Sequence, residues 1–361
     1  MMLSRSRRFM PLRVLAAALA LPAAVSLSAG CGSSDPGLSA DGKTVLRYQG
    51  QTGQVSPFEL AADLGYFQKI QLRWENDSTS GPANIQAAAT RQIEFGSAFN
   101  GAVVKLIAGG APVKSVLSSY GADELSFTGY FVRDDSGITS ARDLIGKKVG
   151  VNTLGAHHEF ITREWLHRQG LSEPEIKQVQ FVVLPPVSTE DALRKGQIDV
   201  AALGSVFRDT AVARGGLHPL FTDKDLFGKF DYGTYVFRDD YIKQHPDAVQ
   251  DFVQGTARAI RWLQITPRDQ VLAKFEAIIN QRGRNENTEL LKYWKSSGIP
   301  VPGGVVDERE LQIWIEWLVR NGELSEGKLT AKDVYTNKDN PYANGTYAPT
   351  SGPAGEVVAA K

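Results

Sequence analysis

A single cysteine, no surplus of either charge and no enzymatic signature set the first limits on this chain. One cysteine excludes a disulfide framework and any paired-thiol metal or redox centre. Forty basic residues against forty acidic ones leave no electrostatic footprint for nucleic acid. No GxSxG elbow, P-loop, HExxH pair or GxGxxG fingerprint occurs. No metal and no cofactor is therefore expected, and catalysis is disfavoured. Hydrophobic residues make up 42% of the chain, too many for disorder and enough for real cores. At roughly 150 residues per domain, the 361 residues suggest two domains or lobes.

The first thirty residues stand apart. Arg5, Arg7, Arg8 and Arg13 precede an apolar run from Val14 to Gly30, with no acid among them. A basic start, a hydrophobic run and small residues before a cut site form an export-signal pattern. Leu27-Ser28-Ala29-Gly30-Cys31 resembles a bacterial lipobox, which implies cleavage after residue 30 and acylation of Cys31. Residues 31–43 read as a flexible tether. Loss of the four arginines leaves the remainder with a net charge of about −4. The expected location is the periplasmic or extracytoplasmic face of the cell membrane, lipid-anchored through Cys31.

The rest alternates β-prone runs with helical periods of about ten to fourteen residues, the signature of parallel α/β units. TVLRYQG, LRWEND, IEFGSAF and VKSVLSSYG read as strands. PFELAADLGYFQKI, SGPANIQAAATRQI and NGAVVKLIAGGA read as helices between them. The pattern restarts with TGYFVRDDSGI, a helix over ITSARDLIG, and strands KKVGV, VQFVVLPP and IDVAALGS around helices AHHEFITREWLHRQG and TEDALRKGQ. Similar strings at Tyr130–Asp135 and Tyr235–Asp240 suggest paired crossing strands, with a hinge near 131–134 and 233–237. The C-terminal part reads as helices, including one over NTELLKYWKSSG. Boundaries follow as 44–132 for the first part of lobe 1, 133–235 for lobe 2, 236–322 for the return to lobe 1 and C-terminal helices, and 323–361 for an irregular tail. Trp165, Trp262, Trp294, Trp314 and Trp317 sit among Leu and Ile at helical spacing and read as core. Ligands of parallel sheets collect at the C-terminal ends of strands, which places a binding cleft among these loops.

Taken in order, LRYQGQ, LAADLGYFQK, SGPANIQAAATRQIEFGSAF, AGGAPVK, SARDLIGKKVGVNTLGAHHEF, LPPVSTEDALRKGQIDVAALG and HPDAVQDFV resemble the substrate-binding component of bacterial ABC importers. The resemblance covers nearly all of residues 44–322 and is nearest the nitrate, alkanesulfonate and taurine group. It implies an α/β, two-lobed type II periplasmic-binding fold with two crossings and a helical C-terminal part, closing around one small solute. It also implies ABC permease subunits as partners, and a monomer. Carried over segment by segment, ligand contacts are expected from Gln49 and Gln51, Ser80 and Gly81, and Phe99, Asn100 and Gly101. Gly155, Ala156, His157, Gly204, Ser205 and Tyr232 complete that set. One departure stands out: many sulfonate and taurine binders carry Trp-Asp-Pro where this chain has Gly204, Ser205, Val206 and Phe207.

The residues carry their own argument. Ser80 and Asn100 stand where a strand gives way to a helix, so each either caps the helix or helps free N–H groups hold an anion. His157 and His158 are adjacent and cannot share a helix face; His157 is either a donor to an oxyanion or a surface histidine. A metal there lacks a third ligand at convincing spacing. Phe99, Tyr120, Phe207 and Tyr232 suit a cleft wall or a core. Arg133 and Arg208 suit a fork to an anionic head or pairing with nearby aspartates. The function expected is capture of a small anionic or polar solute, such as an aliphatic sulfonate, taurine or nitrate, for delivery to the permease. The alternatives are a binder of a pyrimidine-type or other aromatic precursor, a solute-sensing lipoprotein, and an enzyme on the same fold. The lipid site is directly testable: labelled palmitate should be incorporated during bacterial expression, and Cys31→Ser should abolish the label.

Overall fold

Short apolar strands followed by amphipathic helices build the chain in a computed structural model that describes residues 37–358. The export segment, Cys31 and the first part of the tether lie outside the described residues. In chain order the first half contains β1 (Thr44–Gly50), α1 (Pro57–Asp63), β2 (Ile70–Asp77), α2 (Gly81–Ala89), β3 (Phe95–Phe99), α3 (Asn100–Ala108), β4 (Val113–Ala122), β5 (Thr128–Arg133), β6 (Lys148–Val151), α4 (His157–Arg168), α5 (Glu173–Ile176) and β7 (Gln180–Val183). Then come α6 (Pro186–Arg194), β8 (Val200–Gly204), α7 (Ser205–Arg214), β9 (Leu217–Thr222), α8 (Asp223–Phe227), β10 (Phe230–Arg238), α9 (Asp239–Gln244), α10 (Pro246–Ile265), α11 (Arg268–Gln281), α12 (Arg309–Arg320) and α13 (Ala331–Val334). Among the described residues, no helix is long and apolar enough to cross a membrane.

The strands form three sheets: β1-β2, β3-β10-β4 and β7-β6-β8-β5-β9. β1 and β2 are parallel, as are β6 with β7 and β6 with β8. β10 runs antiparallel to both of its neighbours, and so does β5. The chain passes from the three-stranded sheet to the five-stranded one between Ala122 and Thr128, and returns between Thr222 and Phe230. Both crossings precede the hinge positions expected at 131–134 and 233–237, which are instead the bodies of β5 and β10. The repeated string therefore marks two strands of similar burial, each in the middle of a sheet run. All nine residues of β10 are buried.

Rings dominate the core beside β10. Phe95 lies 4.4 Å from Phe252 and 5.0 Å from Phe58 between ring centroids, while Phe237 and Tyr235 close on the same group. Such contacts contribute about 0.5–1.5 kcal/mol each beyond buried area. The elements are stitched by backbone-directed carboxylates. Glu94 is fully buried; its Oε2 accepts from the Arg47 backbone N–H at 2.6 Å, and its carboxylate also pairs with the Arg47 guanidinium. Asp251 on α10 accepts from the N–H groups of Gln68, Lys69 and Ile70 at the start of β2.

Three expectations change. The helix expected over NTELLKYWKSSG is a 3-10 turn at Glu289–Tyr293 followed by chain without regular structure. ITSARDLIG contributes only the 3-10 turn Arg142–Leu144. The C-terminal tail is pinned down: Thr336 N–H donates to Ser115, Asn340 to the Gly303 carbonyl, and Arg258 and Arg261 to the carbonyls of Pro353 and Ser351. Trp165, Trp314 and Trp317 are buried as expected of core, whereas Trp262 and Trp294 are only partly so.

One buried spot brings two carboxyl groups together. Asp231 at the start of β10 and Glu310 in the first turn of α12 are both buried, and the Asp231 N–H donates to Glu310 Oε1 at 2.8 Å. Both Asp231 carboxylate oxygens and Glu310 Oε2 lack a hydrogen-bond partner. Burial pushes both acids up, Asp231 well above its ordinary range with Glu310 adding to it, and Glu310 to about 8. A raised folded-state value means the contribution to stability is whole below the unfolded value near 4 and is lost as pH climbs. Denaturant unfolding should thus show stability falling from about pH 5 to about pH 8, and Glu310→Gln should flatten that slope.

Candidate functional site

A cavity of about 660 Å³ opens at the C-terminal ends of the strands, the place where parallel architecture gathers loops and helix starts. One wall comes from the segment after β1, the start of α2, the ends of β3 and β4, and the 287–297 segment. The other comes from residues 152–158 and from Gly204 to Phe207, with Ser126 to Thr128 of the first crossing between them. Among the described residues lining it there is no Asp, Glu, Lys or Arg. The wall is made of rings, aliphatic groups, hydroxyls and amides. A buried anion in such a site meets dipoles rather than permanently charged side chains.

Among the helix starts along this space that lack a side-chain cap are α3, preceded by Phe99, and the two at α4 and α7. The residue preceding α4 is Ala156 and that preceding α7 is Gly204; neither has a side-chain oxygen, and neither helix start has a side-chain cap. The first N–H groups of a helix have no partner within it, and aligned peptide dipoles place partial positive charge there. By contrast, Ser80 accepts from Ala83 N–H at 3.3 Å and caps α2 itself. Ser205, the first residue of α7, has φ of +46°. For a residue with a side chain this left-handed conformation costs on the order of 1–2 kcal/mol, strain of a kind found where a site holds the chain in place.

The polar groups of the first wall are braced. Gln49 Oε1 accepts from Asn84 Nδ2 at 2.9 Å, and Asn84 Oδ1 accepts from Ser97 N–H at 2.6 Å. Gln49 is left with its amide N–H₂ to offer. Ser97 Oγ donates to Ser119 Oγ at 2.7 Å. In the second wall His157 is buried, its ring stacked 4.3 Å from Tyr232 and 5.5 Å from Phe99 between centroids. Its Nε2 stands 3.2 Å from Asp223 Oδ2, within ion-pairing reach though off the line of a hydrogen bond. His158 Nδ1 is sealed and without a partner; burial, with His157 beside it, pushes this imidazole down to about 3, so it stays neutral.

Of the residues expected from the sequence, Gln49, Gln51, Gly81, Phe99, Tyr120, Ala156, His157, Gly204 and Ser205 line the cavity, with Phe207. The others do not line it. Asn100 is fully buried, and its Nδ2 donates to the Asp231 carbonyl, because the first turn of α3 faces β10 rather than the cleft. Gly101 is packed against the Phe99 ring, which a Cβ would approach to 2.5 Å. Gly155 makes the turn before α4 at φ of +67°, its N–H bound to Glu159. Ser80 serves as cap. Tyr232 lies behind His157, with its hydroxyl donating to the Asp223 carbonyl at 3.0 Å. Neither arginine is a fork: Arg208 donates to the carbonyls of Leu125 and Phe127 and pairs with Asp209, and Arg133 pairs with Asp135.

The sequence reading missed the 287–297 segment altogether. Asn287, Leu290, Leu291, Trp294, Ser296 and Ser297 face the cavity, and Lys295 joins Asp209 of α7 at 3.0 Å across it.

A family model described as NMT1/THI5 like matches residues 52–270. A Bacillus subtilis (strain 168) protein named as a candidate aliphatic sulfonates-binding protein is 26% identical over 253 residues, 68% of this chain and 73% of that protein. The alkanesulfonate-binding protein of Xanthomonas axonopodis pv. citri, solved with MOPS bound, superposes with a TM-score of 0.62 at 17% identity, covering 81% of this chain and 98% of that one. The periplasmic nitrate-binding protein of Synechocystis PCC 6803 gives 0.62 at 16% identity, over 86% and 92%. The chain thus has the fold of these two-lobed binding proteins.

The strain at Ser205 yields a two-sided expectation. Ser205→Gly should raise the unfolding free energy by about 1 kcal/mol while weakening capture of solute, since the hydroxyl and the fixed helix start are both lost. Denaturant melts and calorimetry on the same preparation would separate the two effects.

Proposed function

The chain belongs to the family described as NMT1/THI5 like, and from that membership and its cleft we propose that it is the solute-binding component of an ABC importer. Its cargo in this reading is an organic anion of the aliphatic sulfonate class, handed to permease subunits in the membrane. The protein works as a monomer on the extracytoplasmic face, held there by lipid on Cys31; the Leu27–Cys31 string supports that anchor.

The observation that carries the reading is a large, ring-lined cavity without ionic side chains, into which α4 and α7 present uncapped starts. A sulfonate head would complete both helix starts, receiving the N–H groups that Ala156 and Gly204 leave unanswered. Phe99, Tyr120, Phe207, Leu290 and Trp294 would cover an alkyl body, and each buried methylene contributes about 0.8 kcal/mol. Volume argues for such a body: a bare inorganic oxyanion such as nitrate would leave most of 660 Å³ to water. Relatives whose names speak of sulfonates and nitrate support an anion, and nothing in them favours the pyrimidine-type precursor, the sensor or the enzyme.

Delivery follows from closure. The two walls belong to different sheets, so a solute touching both favours the closed arrangement, by no more than its differential affinity for it. The Lys295–Asp209 pair joins the same two sides.

The test strips carried ligand by unfolding and refolding, then follows thermal shift and calorimetry with octanesulfonate, ethanesulfonate, taurine and nitrate. Affinity should rise with alkyl length and be weakest for nitrate. Tight nitrate binding with no response to octanesulfonate would overturn the assignment of the cargo.

A further inference from the structure

We propose that Asp223 and His157 form a ligand-linked proton site, in which arrival of the anionic solute is accompanied by uptake of a proton on the His157 imidazole. Asp223 is the positioning residue and His157 the solute contact. The inference rests on the anion-binding reading above and extends it to the regulation and selectivity of that same site.

Geometry carries the argument. His157 is the first residue of α4, it lines the cavity, and its backbone stands at the uncapped helix start where an anionic head is drawn. Its imidazole is clamped between the rings of Tyr232 and Phe99 and cannot swing away. Asp223 is buried and fixed from two sides: Oδ1 accepts from the Thr128 N–H at 3.0 Å, and its carbonyl accepts from the Tyr232 hydroxyl. Thr128 ends the first crossing and Asp223 begins the helix of the second, so the pair ties both crossings to the solute wall.

The charges facing His157 are few. From α4 there is His158, which stays neutral. From β4, β5 and β10 come the phenols of Tyr120, Tyr130 and Tyr232, all held protonated by burial and by the Asp223 carboxylate. Glu310 of α12, itself pushed up by burial, acts on the far side of Tyr232. From α8 there is Asp223. A solute anion therefore meets a wall behind which Asp223 is fully buried and in which the His157 imidazole is the group placed to take up a proton. Two negative charges flanking a single imidazole favour its charged form more than one does. By linkage, whatever the solute does for the proton the proton does for the solute. The sign follows: a proton taken up with the solute makes binding stronger at low pH and weaker as pH rises, by at most about tenfold per pH unit. Neutral isosteres of the same shape gain nothing from this device.

The experiment measures octanesulfonate binding to the mature protein as isolated, by calorimetry at about pH 7 and about pH 8.5 in phosphate and in Tris, whose ionisation enthalpies differ. The expected result is a buffer-dependent heat corresponding to proton uptake approaching one, lost in His157→Gln and reduced in Asp223→Asn. Because a variant may fail to fold, the wild-type imidazoles are also followed by NMR after histidine labelling, where one ring should move toward its charged form on saturation. Octanesulfonate binding without proton exchange, or uptake that survives in a folded His157→Gln, overturns this inference and leaves the anion reading standing. No binding at all overturns both.

Discussion

The molecule depends on one constraint: β10 must enter the middle of a sheet whose other strands were laid down more than a hundred residues earlier. It slots antiparallel between β3 and β4, so the first core is incomplete until the second sheet has been built and the chain has returned. Everything else is arranged around that insertion. Gly233 sits under the Tyr120 ring, where a Cβ would come within 2.1 Å of a ring atom. Phe237 and Tyr235 close the aromatic core. Tyr232 backs the histidine of the cleft, and Asp231 carries its carboxylate into a place with no cation to meet it. The site is thus assembled on a strand that exists as a strand only when the fold is complete.

Placing bare helix starts opposite ring-lined walls solves a problem of desolvation. A lysine or arginine in the cleft would itself lose hydration whenever the cleft closed, with or without cargo. Peptide dipoles are already ordered by the helices and ask for little reorganisation. Ala156 and Gly204 are the simplest residues that can precede α4 and α7 without satisfying them internally. Ser80 at α2 shows the other choice, a helix start that closes itself. The contrast between these three positions separates scaffold from site more sharply than their shared location at strand-to-helix junctions does.

That contrast also explains what could be read from the sequence. Alternation of strands and helices, the division into two lobes and the loops bearing Gln49, Gly81, Phe99, Ala156 and Gly204 follow from periodicity and turn chemistry. The direction of side chains one position further on does not. Phe99 faces the cleft while Asn100 faces the core, because successive residues at a helix start point about a quarter-turn apart and only tertiary packing decides which is inside. Tyr232 and Arg208 show the same limit: each is near the cleft in the chain, each spends polar atoms on a backbone carbonyl of a crossing, and Arg208 takes the aspartate pairing that the sequence also allowed. The 287–297 wall was invisible because its Leu and Trp residues imitate a helical stripe, and their role appears only once tertiary packing turns them to the cavity.

The cleft wall without fixed charges has a further consequence in the proposed role on the outside of the cell. Attraction between mobile ions and a charged pocket weakens as salt rises, so a pocket of lysines would lose its grip whenever the surroundings became brackish. Dipoles buried at the ends of α4 and α7 have no counterion cloud to shed. In the proposed role, a binder built this way depends less on salt than one with an exposed pocket of lysines, and acidity becomes the external variable that adjusts it.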